Sequence, residues 1–255
     1  MRIDVNAFFG HWQFWPLPNP APDDVLRLMD RHGIDHAAIA SLRGLYGERP
    51  AANAETLAAA RARPDRFTPI AIAGPMNGGG AAELRALAGD GFRGVRLYPL
   101  LHGYRLHDPF ADEVCAAAGE LRMAVIVATR PMMNFRFATV PIEEIGTLAE
   151  RHPGTSFLLS GPNYLTEFRA AVLVMQRCAN VSIEISCMQG LEALRRMVDA
   201  VGAERVLFGT GMPLHYPACG VAKIEHAQIS EAARAAVVRA NAQRLLGLKP
   251  SAAFV

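Results

Sequence analysis

Short runs of β-branched and small apolar residues alternate with Ala-rich, helix-forming stretches eight times along this chain. The runs are Ile3 to Gly10, His36 to Ser41, Phe67 to Ala73, Gly94 to Tyr98, Met123 to Thr129, Ser156 to Ser160, Val181 to Ser186 and Arg205 to Gly209. Helical patterns follow them at Val25 to His32, Ala51 to Arg63, Ala81 to Ala88, Pro109 to Leu121, Ile142 to Arg151, Leu165 to Cys178, Leu191 to Val201 and Glu231 to Leu246. Strands that alternate with helices must lie parallel, because each helix carries the chain back to the start of the next strand. Right-handed crossovers repeated eight times close most simply into a barrel. The expected fold class is therefore α/β, a single (β/α)8 TIM barrel over residues 1–255, with an open doubly wound sheet as the alternative. No linker or low-complexity segment divides the 255 residues.

Composition narrows the function classes. A net charge of +2, with basic residues scattered among acidic ones, offers no surface for nucleic acid. No apolar run reaches the roughly 18 residues of a membrane span, and Met1 enters a strand without the regions of a secretory signal. Cys115, Cys178, Cys187 and Cys219 form no CxxC pair, so reduced thiols and a cytoplasmic location are expected. The implied partner is a small-molecule substrate, and assembly into a homo-oligomer stays open.

In such a barrel, active sites form where strands run into the following loops. All five tyrosines (Tyr46, Tyr98, Tyr104, Tyr164, Tyr216) fall there, with Trp12, Trp15, His11, His102, His107 and His215. His32, His36 and His152 fall on the opposite rim. The strand-end face thus carries the expected pocket. Alternation within strands adds depth. Asp4, Asn6 and Phe8 should face inward, as should Arg96 and Tyr98 between outward Val95 and Leu97. Ser182, Glu184 and Ser186 should face inward between Val181, Ile183 and Ile185. Charges inside a barrel need partners. Either Asp4, Arg96 and Glu184 form an internal ion-pair network, or Arg96 and Glu184 meet the substrate.

Four segments carry a family resemblance: IDVNAFFG at Ile3 to Gly10, GFRGVRLYP at Gly91 to Pro99, RVLFGTGMP at Arg205 to Pro213, and NAQRLLGL at Asn241 to Leu248. In this order and spacing they resemble the amidohydrolase superfamily, in the branch of TIM barrels that includes aromatic-acid decarboxylases and some lactonases. The resemblance implies a divalent metal held by two His on strand one, one His each at the ends of strands five and six, and an Asp after strand eight. Here those places hold Asn6 and Phe8, Ala128 or Thr129, Ser160 or Gly161, and Gly211. None supplies a good zinc ligand. A site without metal or other cofactor is expected; a metal on His102, His107 and His215 is the alternative.

Without a Lewis acid, such a site needs positioned acids, bases and hydrogen-bond donors. His102 is the first candidate general acid/base, His215 the second, and Glu184 could orient or polarise either. Arg43, Arg96 and Arg130 end strands two, four and five and could clamp a carboxylate. Asn6, Phe8, His11, Trp12, Tyr98, Tyr104, Asn163 and Tyr216 complete the candidate substrate-binding set. The resemblance favours hydrolysis of a lactone, ester or amide bond, because some related lactonases work without metal. Those keep the strand-eight Asp as base, which here is Gly211. Metal-free lyase chemistry, such as decarboxylation, is the alternative, and a non-catalytic small-molecule-binding barrel is the second class of reading. A mouth filled by Trp12, Phe14 and Trp15 would favour the scaffold; convergent titratable groups would favour the enzyme. GPMNGGG at Gly74 to Gly80 reads as a flexible loop without the Lys-Ser/Thr ending of a phosphate loop. The pair Met132 and Met133 reads as packing or a pocket wall.

Overall fold

A computed structural model describes residues 1–18, 21–75, 80–132, 138–163 and 165–249, with 165 and 166 described by backbone alone. The strands are β1 (Ile3–Phe9), β2 (His36–Ser41), β3 (Phe67–Ala73), β4 (Gly94–Leu97), β5 (Ala124–Ala128), β6 (Phe157–Ser160), β7 (Val181–Glu184) and β8 (Val206–Leu207). They pair in parallel in sequence order. The seam between first and last strand is closed by the backbone: Val5 N–H donates to Phe208 C=O (3.0 Å), Gly211 N–H to Asn6 C=O and Phe8 N–H to Met212 C=O (both 2.7 Å). That closure makes a barrel and removes the open doubly wound sheet.

The strand alternation explains two apolar layers. Val95, Leu97, Val125, Val127, Phe157, Leu159, Val181, Ile183 and Ile185 belong to the outer layer, shared with the helices. Val5, Ile70, Ala124, Ile126, Leu158 and Leu207 belong to the inner one. Each fully buried Val, Leu, Ile or Phe among them contributes about 1.5–3 kcal/mol. β1 departs from simple alternation. Val5 joins the inner layer while Ala7 joins the outer one, because the β1–β2 register shifts between Asp4 and Ala7. A bulge in that stretch flips the parity, so the expected outward face for Ile3 and Val5 is corrected.

The helices are α1 (Pro22–Arg31), α2 (Arg49–Ala62), α3 (Ala81–Asp90), α4 (Pro99–His102), α5 (Pro109–Glu120), α6 (Ile142–Arg151), α7 (Leu165–Arg177), α8 (Ala193–Val201), α9 (Pro217–His226), α10 (Glu231–Ala235) and α11 (Asn241–Leu246). α4, α9 and a 3-10 turn at Leu42–Tyr46 stand where only loops were expected. Pro99 and Pro217 open α4 and α9 at the first helical position, where the missing N–H costs nothing. The closing segment NAQRLLGL also acquires a structural role. Asn241 Nδ2 donates to the carbonyls of Ala203 (2.7 Å) and Val206 (2.8 Å), fixing α11 to the start of β8. Ala242 and Leu246 join the inner apolar layer.

Candidate functional site

Inside the barrel, at the strand ends, the polar network centres on Glu184. Among the described residues its carboxylate accepts from five donors: Asn6 Nδ2 (3.2 Å), Ser160 Oγ (2.8 Å), Gly161 N–H (3.1 Å), Ser186 Oγ (2.7 Å) and Ser186 N–H (2.6 Å). Five neutral donors can stabilise a buried carboxylate without a cation. Asp4 is held in the same way. It accepts from Asn6 N–H (2.8 Å), Thr210 N–H (3.1 Å) and the Thr210 hydroxyl. Burial pushes its carboxyl up to about 7 against the pull of those bonds. The expected internal ion-pair network is therefore not what the described residues form. Neutral donors could reach these carboxylates because small polar residues line the ends of β6, β7 and β8.

These residues occupy the places where the resemblance puts metal ligands. Asn6 gives its amide to Glu184 and to Ser186 Oγ (3.1 Å), Ser160 is spent on Glu184, and Thr129 Oγ1 donates to the Ser160 carbonyl (3.2 Å). Gly211 has φ +71°, and a Cβ there would stand 2.5 Å from His215 Nδ1, so the imidazole fills the space of a side chain at that position. Among the described residues no three of His, Cys, Asp and Glu come together as a metal could require. The donors present do not fit a divalent metal, and the alternative trio of His102, His107 and His215 is not assembled.

His215 lies on the Glu184 side of the mouth. Burial lowers its pKa and the charge of Glu184 pulls the other way, so the ring is neutral at pH 7. Lys223, on α9, donates from Nζ to the carbonyls of Ile185 (2.7 Å) and Ser186 (2.8 Å), closing the end of β7.

Across the barrel, Arg96 is 1% exposed. Its guanidinium sits 4.6 Å from the centre of the Phe8 ring, and Nη2 reaches the Val5 carbonyl at 3.3 Å. Among the described residues no hydrogen-bond partner reaches Nε, Nη1, Trp12 Nε1 or Asn6 Oδ1, and the Tyr98 phenol lies beside the guanidinium. Burial raises the Tyr98 phenol, and the nearby guanidinium opposes that shift. The other candidate arginines are differently placed. Arg130 is buried but paired with Glu167. Arg43 is exposed and paired with Glu48 and Glu55.

Phe8, Trp12, Ala40, Ile72, Tyr98, Ala128, Met132 and Leu214 form an apolar layer above these groups. Trp12 thus fills part of the mouth, whereas Phe14 and Trp15 remain partly exposed beside it. A recess of about 200 Å³ is left between the ends of β4 and β5. Tyr98, Pro99, Leu100, Thr129, Arg130 and Val140 are among its walls.

His102 stands apart from Glu184 and His215. It ends α4, is buried, and its Nε2 lies 2.9 Å from the Gly44 carbonyl. Tyr104 packs on Phe110 of α5 (ring centres 5.2 Å apart) in the outer layer, and it borders a second recess with Pro99, Leu100 and Val140. Asn163 is buried and donates its N–H to Glu167 (2.7 Å). His11, His107 and Tyr216 are exposed. Tyr164, Met133 and positions 76–79 of the Gly-rich loop lie outside the described residues. Thr210 and Lys223 join the network without a local signal in the sequence, whereas the inward parity of Ser186 and the strand-six-end place of Ser160 pointed to those two.

Comparison with known proteins adds to this picture. The family model described as Amidohydrolase matches residues 7–248. No curated protein matches the chain in sequence. An uncharacterized TIM-barrel protein, Bb4693 from Bordetella bronchiseptica, superposes with a TM-score of 0.78 at 17% identity, covering 97% of this chain and 98% of that one. A 2,6-dihydroxybenzoate decarboxylase bound to 2,6-dihydroxybenzoate gives 0.76 at 18% identity over 97% and 99%. A probable 2-pyrone-4,6-dicarboxylic acid hydrolase from Acinetobacter baumannii gives 0.71 at 14% over 96% and 99%. At such identities the superpositions establish the shared fold. No helix among the described residues is long and apolar enough to cross a membrane.

Proposed function

Because the chain belongs to the amidohydrolase family, we propose that it is a metal-independent enzyme of that family, hydrolysing a lactone, ester or amide bond in a small carboxylate-bearing substrate. The observation that carries this reading is Arg96. Of the three arginines buried among the described residues, Arg49 pairs with Glu83, Arg130 pairs with Glu167, and Arg96 has no acidic partner. A buried, unpaired cation costs several kcal/mol. A substrate carboxylate offsets that cost by accepting from Nε and Nη1, with Tyr98 Oη beside it. The faces of Phe8 and Trp12 suit a planar or cyclic body, and the small recess at β4 and β5 suits a small one.

His215 is the base this reading requires. Its neutral ring takes a proton from water as the water oxygen attacks the acyl carbon, and the imidazolium then returns that proton to the leaving oxygen or nitrogen. The nearby Glu184 carboxylate stabilises the imidazolium while its own donors hold it still. A positioned base of this kind contributes typically about 10²–10⁴-fold. His102, tied to the Gly44 carbonyl, has no part in this step.

Arg96 also favours a second reading, decarboxylation, because a carboxylate held among aromatic faces is partly desolvated. The 2,6-dihydroxybenzoate decarboxylase superposes on the chain. The test pairs elemental mass spectrometry of the purified chain with a panel of lactones, aryl esters and hydroxybenzoates. Acid release that persists after chelation, falls at low pH as His215 protonates, and is lost in His215→Gln is the expected result. A stoichiometric metal whose removal ends turnover would sink metal independence. Release of CO2 alone would select the second reading. Binding without turnover would return the chain to a non-catalytic barrel.

A further inference from the structure

Glu184 is fully buried, and the donors that touch it are neutral. A cation nevertheless stands one peptide group away. The N–H of the Ile185–Ser186 peptide donates to Glu184 at 2.6 Å, and the carbonyl of the same peptide accepts from Lys223 Nζ at 2.7 Å. The next carbonyl, that of Ser186, accepts from Nζ at 2.8 Å, while the Ser186 hydroxyl donates to Glu184 at 2.7 Å. Ammonium, peptide and carboxylate thus form one chain of hydrogen bonds, in which each charge polarises the link toward the other.

Packing fixes both ends of that chain. Lys223 stands on α9, and Gly220, one turn earlier, lies against the end of β8. A Cβ at Gly220 would stand 3.1 Å from Thr210 Cγ2 and 3.4 Å from the Gly209 carbonyl. Gly209 in turn makes room for Glu184, since a Cβ there would stand 2.3 Å from Oε2. His215 lies just before α9, and its N–H donates to the Gly211 carbonyl at 3.1 Å. One junction of β7, β8 and α9 therefore sets the histidine, the carboxylate and the lysine together.

We propose that Lys223 is a positioning residue for the His215–Glu184 pair: it holds the Ile185–Ser186 peptide against the carboxylate, and its charge keeps the His215 ring free of a second proton near neutral pH. The use of His215 as a base rests on the hydrolytic reading; the link through the peptide does not. The two carbonyls can only accept, and the charge of Glu184 opposes the fall that burial imposes on the Lys223 ammonium. At His215 the two charges act in opposite senses, Glu184 favouring the imidazolium and Lys223 disfavouring it. With Glu184 alone the ring would hold its proton more tightly and serve less well as a base. The other titratable groups at this junction are Asp4 on β1, which feels Glu184, and the thiols of Cys187 and Cys219, which act on Lys223. Burial pushes the Cys187 thiol up to about 12, and Arg130 is paired with Glu167.

NMR titration of the His215 ring nitrogens in the isotope-labelled full chain, assigned by their loss in His215→Gln, tests this without any substrate. Lys223→Met should raise the His215 midpoint by about half a pH unit or more, as removal of one partly screened charge does. Glu184→Gln should lower it, and Lys223→Arg, which keeps the charge and the donors, should return the parental value. The Ser186 amide proton should move upfield in Lys223→Met and stay in place in Lys223→Arg. If Lys223→Met does not fold, Lys223→Gln, which still donates to a carbonyl but carries no charge, takes its place with the same expected rise. A midpoint unmoved or lowered in the neutral variant, or an arginine variant that titrates like it, would reduce Lys223 to a structural tie and overturn the proposal. Failure of the hydrolytic reading would show in the substrate panel and leave these titrations unchanged.

Discussion

Replacing Arg96 by Met should move stability and binding in opposite directions. The folded protein loses the cation–π contact with Phe8 at 4.6 Å, about 1–2 kcal/mol for a desolvated pair. It also loses the 3.3 Å bond to Val5, about 1.5 kcal/mol for a long bond from a charged donor. Against these stands the several kcal/mol cost of burying an unpaired guanidinium, which Met, flexible enough to fill the same space, does not carry. The unliganded variant should therefore be as stable as the parent, or more stable by roughly 1–3 kcal/mol. Binding of an aromatic carboxylate such as benzoate should weaken by about 2–5 kcal/mol, roughly 30- to 5,000-fold. Urea unfolding with an unchanged slope gives the first quantity and calorimetry the second. A variant destabilised by more than about 2 kcal/mol that still bound benzoate normally would show that Arg96 is a structural cation, not a ligand anchor.

Two further perturbations probe the network around it. The Asp4 carboxyl is raised to about 7, so its stabilising contribution is fully present below the unfolded carboxylate range near 4 and is lost as pH rises through about 7. Asp4→Asn, which keeps the Thr210 contacts, should gain stability relative to the parent between pH 4 and 7. The lowered histidines His36, His102 and His215 act in the other direction but cancel in that difference; a difference independent of pH would refute the assignment. In Glu184→Gln, the new amide must face a former donor such as Ser186 N–H. One charge-assisted bond is lost and one donor is stranded, about 3–5 kcal/mol in urea unfolding; a loss under about 1 kcal/mol would mean that the five donors do not act together.

How far the molecule could be read beforehand depended on the range of each interaction. Val95 and Leu97 against Arg96 and Tyr98, and Ile183 and Ile185 against Glu184, announce their faces by local alternation, and the structure keeps them there. β1 broke the rule because its bulge is imposed by the pairing with β2, which no period within Ile3 to Phe9 encodes. The helices opened by Pro99 and Pro217 were hidden because proline starts helices as readily as it ends them. The arginines were beyond reach for another reason. Arg130 finds Glu167, and Arg49 finds Glu83, more than thirty positions away. Which of three similar side chains stays unpaired is a property of the closed barrel.

The seam between β1 and β8 has a consequence for how the molecule is made. Val5, Asn6 and Phe8 leave the ribosome before every other strand of the barrel, yet their backbone partners Phe208, Gly211 and Met212 come some two hundred residues later. At roughly 5–20 residues per second, the first strand waits on the order of ten seconds or more with one edge open. Through that interval the most recently made strand, at the last stage β7, is the other free edge, and the inner layer around Ile70, Ile126 and Leu158 lacks its last strand. A chain stopped before Val206 would keep both edges for good, and open parallel edges recruit other chains. Biosynthesis thus sets its own demand on this protein. Its nascent form must be kept solitary until the last strand arrives to meet the first.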